Sequence, residues 1–171
     1  SSQWLKAMRK YTSDAQLRFE IPTLQGNSDL FEDTVKSNPG KYLETIQAIL
    51  SDPIIPSAYA YAGLRGLIAA NYDFSVVEGL YVQMISHLNP SINENKASDL
   101  ITLIRQSEFF AKKNVSLRKE IVDFLVSVVR DYNDKKEDRE ENEFEDSPYQ
   151  SGINEVRGAA CYYLMECYRF K

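Results

Sequence analysis

The sequence predicts an all-α protein, and three observations carry that expectation. Apolar residues recur at helical spacing in one segment after another. Ser-x-x-Glu capping boxes and Asp-Pro or Asn-Pro breaks punctuate those segments. Only seven glycines and six prolines stand among the 171 residues, too few for a turn-rich all-β domain. A chain of this length suits one domain. With 43% hydrophobic and 26% charged residues it can bury a core.

Trp4, Leu5 and Met8 predict a short helix ending near Tyr11. Leu17, Phe19 and Ile21 alternate with polar residues ahead of Pro22, which reads as an extended arm or a short strand. Ser28 is expected to cap a brief helix carrying Leu30, Phe31 and Val35, closed by Asn38-Pro39-Gly40. Tyr42, Leu43, Ile46, Ile49 and Leu50 then form one stripe that stops at Asp52-Pro53. The next segment, 57–70, has a different texture: Ala58, Ala60, Ala62, Gly63, Gly66, Ala69 and Ala70 surround Tyr61, Leu64, Leu67 and Ile68. Each glycine inside a helix costs ~1 kcal/mol relative to alanine, and close approach of a neighbouring helix is the simplest way to offset it. Segment 57–70 is therefore expected to be the central, most buried helix. Arg65 and its short length argue against a membrane dimerisation face.

Val77, Leu80, Tyr81, Met84, Ile85 and Leu88 make the following stripe, opened by a Ser75–Glu78 capping box and ended by Asn89-Pro90. A Ser91–Glu94 box introduces a face of Leu100, Ile101, Ile104 and Ser107. Leu117, Ile121, Phe124, Leu125, Val128 and Tyr132 give the cleanest stripe, and Ile153, Val156, Ala160, Tyr163, Leu164 and Cys167 line the last helix. Six or seven helices and little or no sheet are expected. The organisation that follows is a single domain over 1–171: N-terminal helix and extended arm 1–27, helical core 28–132, acidic loop 133–150 and C-terminal helix 151–171.

Charge separates the acidic stretch from the rest. Between Asp134 and Asp146 eight acids face three bases, which accounts for the whole net charge of −5. Such a block repels itself and reads as a solvated, flexible loop, with a docking site for a basic partner as the alternative. With 20 basic against 25 acidic residues, nucleic-acid binding is not expected. No apolar run approaches the ~20 residues of a membrane span. The chain begins Ser1-Ser2 with no positive-then-apolar leader, and two cysteines make no disulfide framework. A cytoplasmic piece of a longer protein is expected, in which the sequon Asn114-Val115-Ser116 is a chance match.

Three segments share a pattern: an aliphatic residue, then Arg, with apolar residues four and eight positions after the first. The copies are Leu64-Arg65 with Ile68 and Tyr72, Leu117-Arg118 with Ile121 and Leu125, and Val156-Arg157 with Ala160 and Leu164. Their offsets are 53 and 39 residues, against roughly 40–47 for HEAT and armadillo units, whose helical pairs bury their faces against neighbours. The Arg near each helix start can reach a carboxylate or an exposed carbonyl of an adjacent unit. Arg65, Arg118 and Arg157 are thus candidates either for repeat linkage or for partner contact.

Val156-Arg157-Gly158-Ala159-Ala160 followed by Leu164 resembles the second helix of a HEAT repeat. The longer stretch from Asp146 to Leu164, with Gly152-Ile153-Asn154-Glu155 ahead of that helix, resembles a segment of large bacterial ATP-binding proteins, the STAND-like NTPases of defence systems. The resemblance covers about the last quarter of the chain and departs from the HEAT pattern at the acidic insertion. It implies a HEAT-like or armadillo-like helical repeat stack, standing after an NTPase module in the parent protein.

No motif points to catalysis. Gly40-Lys41-Tyr42 lacks the first glycine and the hydroxyl of a phosphate-binding loop. His87 is the only histidine, and with Cys161 and Cys167 it leaves a zinc site short of a ligand. The two cysteines read as small core residues and His87 as a helix-end residue. Asp131-Tyr132-Asn133 opens like a calcium-binding loop, but Lys136 and Asn142 stand where Gly and Glu are required. No cofactor or metal is expected.

Eleven tyrosines are many for this length. Tyr162, Tyr163 and Tyr168, with Phe170, crowd more than one side of the last helix, and tyrosine supplies contact area at low entropy cost. The expected function is a non-catalytic interaction or regulatory domain, monomeric when isolated, that binds a protein or another domain of its own chain. A small helical enzyme using a Cys/His or carboxylate site is one competing reading; an architectural spacer is the other.

Overall fold

The computed structural model describes residues 2–13, 23–87, 99–104, 118–131 and 156–169, and among these residues there is helix and no strand. The chain gathers into two compact units, Ser1–His87 and Leu88–Lys171. The first holds α1 (Ser2–Lys10), α2 (Leu24–Ser37), a 3-10 turn (Pro39–Tyr42), α3 (Leu43–Ser51), α4 (Ser57–Ala69) and α5 (Phe74–His87). The second holds a helical stretch at 99–104, then α6 (Lys119–Asp131) and α7 (Val156–Arg169). The expected arm over 14–22, the Ser91–Glu94 box, Leu117, Tyr132, Ile153 and the acidic stretch 133–150 lie outside the described residues.

α4 is the helix on which the first unit is built. Eight of its thirteen residues are buried, from Tyr59 to Leu67. Its two glycines face neighbours at a distance that no side chain could share. A Cβ on Gly66 would stand 2.7 Å from the carbonyl oxygen of Glu32 and 2.8 Å from Cβ of Val35, both on α2. On Gly63 it would stand 2.9 Å from Cγ1 of Ile46 on α3. Phe31 and Val35 of α2 and Ile46 of α3 complete this seam with no exposed surface. The close approach expected from the sequence is thus the reason both glycines are there.

α4 ends in a Schellman arrangement. Tyr72 N–H donates to Leu67 O at 3.0 Å and Asn71 N–H to Ile68 O at 2.9 Å. Asn71 takes a positive φ of 50°, a conformation that asparagine tolerates better than most residues. The turn hands the chain to α5, which buries Val77, Leu80, Tyr81 and Met84.

Two helix starts differ from the sequence expectation. α2 begins at Leu24, not after Ser28: Thr23 is its cap, with Oγ1 accepting from Gly26 N–H at 3.0 Å. Ser28 lies inside the helix, buried, and donates its hydroxyl to Gln25 O at 2.8 Å. α2 thus takes in residues 24–27 ahead of Ser28. α5 is capped by Asp73 rather than Ser75. Asp73 Oδ1 accepts from Ser75 N–H at 2.9 Å and Val76 N–H at 3.1 Å, and also from the Ser75 hydroxyl at 2.6 Å. Carboxylate caps satisfy the orphan amides of the first turn as a hydroxyl does, and with more charge.

α1 is fastened at one corner. Met8 is fully buried, and Trp4 lies tilted over Phe31 with ring centroids 5.1 Å apart. Arg9 donates to Asp52 Oδ2 from Nε at 3.0 Å and from Nη2 at 2.7 Å, while Asp52 Oδ1 accepts from Ile54 N–H at 3.0 Å. Tyr59 donates its hydroxyl to Tyr11 O at 3.0 Å.

In the second unit Leu100, Ile101, Leu103 and Ile104 are buried on the 99–104 stretch. α6 turns Ile121, Phe124, Leu125 and Val128 inward. α7 packs on α6 and buries Ala159 and Ala160.

Gly66→Ala would gain about 1 kcal/mol of helix propensity and lose about 1–3 kcal/mol to overpacking against a carbonyl that cannot rotate away. We expect a net loss of about 1 kcal/mol, read from hydrogen exchange of the α4 amides. Gly40→Ala, whose Cβ would meet only Tyr72 Oη at 3.5 Å, serves as the control and is expected to stabilise by about 0.5 kcal/mol.

The Asp52 carboxyl is held below its ordinary value of 3.8, first by its hydrogen bonds from Arg9 and then by the Ile54 amide. A lowered folded-state pKa contributes stability that is complete above the unfolded value and is lost as pH falls through the folded one. Acid titration of Asp52→Asn should therefore show a shallower loss of stability below pH about 4 than the parent chain.

Candidate interaction surface

Arg65 sits on the α2-facing side of α4, and its Nε donates to Glu32 Oε2 at 2.6 Å. Both side chains are about one-third exposed, so the pair is screened and contributes modestly. Its geometry is informative all the same. Glu32 meets Arg65 through its carboxylate and meets Gly66 through its backbone carbonyl. Two adjacent residues of α4 thus grip a single residue of α2.

Arg157 plays a comparable part in the second unit. It lies in the first turn of α7, exposed, and its Nε donates to Val129 O at 2.8 Å while Nη2 donates to Arg130 O at 3.3 Å. These carbonyls belong to the last turn of α6, where helix geometry leaves them without intrahelical donors. A planar guanidinium can serve two such oxygens at once, and its charge suits the negative end of the helix dipole.

Arg118, the third candidate, is an exposed residue directly before α6. Its carbonyl accepts from Ile121 N–H at 3.0 Å and Val122 N–H at 3.3 Å, the position of a helix cap. Arg65 and Arg157 are each bonded to a neighbouring helix through the side chain, and the Arg118 carbonyl opens its own helix.

The aromatic candidates divide by exposure. Tyr162 is 43% exposed. Tyr163 is half-buried and meets the Tyr162 ring edge-on, with centroids 5.8 Å apart and planes at 87°. Tyr168 lies in α7, with its side chain outside the described residues. Sequence reasoning did not single out Met165, which is 60% exposed and shares the outer side of α7 with Tyr162 and Cys161. The signal was available: positions 161, 162 and 165 fall off the stripe through Ala160 and Leu164, yet none of them carries a charge. Cys161, expected as a core residue, is exposed, because the inward side of α7 is taken by Ala159 and Ala160.

His87 is exposed at the last position of α5, and Cys161 is exposed on α7. Gly40-Lys41-Tyr42 forms the 3-10 turn, where the Lys41 ammonium lies 5.8 Å from the Tyr42 ring centre. Among the described residues no group of His, Cys, Asp and Glu side chains is placed to hold a metal ion. Thr45 Oγ1 is buried without a hydrogen-bond partner. Among the described residues no helix is long and apolar enough to cross a membrane.

Arg157→Ala should free the last carbonyls of α6 and weaken the α6–α7 pair by about 1 kcal/mol. Hydrogen exchange in the last turn of α6 checks this. Arg157→Lys is expected to recover only part of the loss, since an ammonium cannot span both oxygens. No family model, curated protein or solved structure matches the chain.

Proposed function

We propose that this chain is a non-catalytic protein-interaction or regulatory domain of a larger cytoplasmic protein, and that the outer side of α7 is its contact surface. One observation carries the reading: Tyr162 and Met165 are 43% and 60% exposed on adjoining turns of a helix whose opposite side is already packed. Tyrosine and methionine are enriched where proteins meet, the first as a rigid anchor and the second as an adaptable one. The partner is a protein, or a further domain of the parent chain.

A HEAT-like organisation is part of the same proposal. It is supported by two of the three aliphatic-Arg segments: Arg65 ties α4 to α2, and Arg157 ties α7 to α6. In each case the arginine of a later helix holds an earlier one, a contact compatible with units that touch only their neighbours. The resemblance of residues 146–164 to STAND-like NTPases suggests a sensing segment in such a parent.

The test is photo-crosslinking in cells from a reactive analogue placed at residue 162, with residue 123 on the outer side of α6 as reference. A discrete protein adduct at 162 that is missing at 123 is expected. Tyr162→Ser should weaken that association roughly tenfold or more, the scale of a truncated hot spot, with helicity unchanged. Equal labelling at both positions, or none at 162, would sink the reading and leave an architectural spacer in its place.

A further inference from the structure

α1 (Ser2–Lys10) leans on the rest of its unit, among the described residues, through a small set of contacts. Met8 is its single buried residue. Trp4, only half-buried, rests on Phe31. Arg9 is 53% exposed, so its bonds to Asp52 are made at the solvent boundary. A further tie follows its last turn, where the Tyr59 hydroxyl donates to Tyr11 O.

α4, by contrast, is held along its length by the glycine seam with α2 and α3 and buries eight residues. Local opening free energies follow this kind of disparity in buried contacts. We propose that α1 is a releasable strap, which opens as one body from α2, α3 and α4 while those three stay folded. Opening uncovers Phe31, which is fully buried when the strap is closed. It also breaks the hydrogen bonds from Tyr59 to Tyr11 and from Arg9 to Asp52. The inference stands apart from the proposed contact surface, because it concerns only the first unit and its own ties.

Trp4 is the only tryptophan of the chain, so its emission reports α1 against Phe31. In the full chain under increasing urea, Trp4 emission should shift to the red, and the α1 amides should open, at lower denaturant than the α4 amides. Arg9→Gln and Tyr59→Phe should each speed α1 exchange about two- to tenfold, the range expected for one exposed ion pair or one hydrogen bond. α4 exchange should stay unchanged in both. Molar salt should act on the parent chain as Arg9→Gln does. Opening of α1 and α4 at the same urea concentration overturns the proposal. So does a pair of variants that speed α4 as much as α1, or that speed neither.

Discussion

The first unit depends on one constraint, that nothing larger than a hydrogen can stand between Gly66 and the Glu32 carbonyl. Helix axes that approach this closely give up the usual layer of interdigitating side chains. Direct backbone contact and the flanking volume of Val35, Phe31 and Ile46 take its place. The approach also sets the register of α4 against α2. Arg65, one position earlier, then finds the Glu32 carboxylate within hydrogen-bond reach. An ion pair of small intrinsic value is thereby given a fixed geometry by packing that does not involve charge.

Around that seam the unit grades from rigid to loosely attached. α4 is enclosed, α5 follows it through the Schellman turn at Asn71, and α1 lies at the rim on a mixture of polar and aromatic ties. Local opening free energies grade with buried contacts in this way. In the second unit α6 and α7 follow a simpler logic, joined by small alanines on one side and a guanidinium across the end.

Much of this was legible in the sequence, and the reasons differ by element. The stripe of α6 announced its inward face because Lys119, Glu120, Asp123 and Arg130 stand off it, and that of α3 because Ile46 and Ile49 fall at helical spacing between polar residues. The glycines of α4 announced close packing because their propensity cost needs an offset. The caps were misread for a local reason. Thr23 is followed by Leu24-Gln25-Gly26, with no Glu or Gln at the third position, while Ser75–Glu78 matches the box yet is outcompeted by the carboxylate of Asp73 two residues earlier. Glu78, the expected box partner, is instead buried. The arginine contacts were half visible. A pattern can nominate Arg157, but a pair of main-chain oxygens leaves no mark on side-chain identity, so its partners on α6 had to be seen. Tyr162 was nominated for its residue type, and Met165 went unnoticed because methionine on a helix suggests a core.

Arg157 reaches back to carbonyls of residues 27 and 28 positions earlier, in the last turn of α6. The guanidinium therefore does more than add a bond: it closes the open end of one helix with the side chain of the next, so the pair is aligned along its length as well as packed across it. Sliding either helix along its axis would carry those oxygens off the guanidinium, which makes Arg157 a ruler for the pairing and not only a clasp.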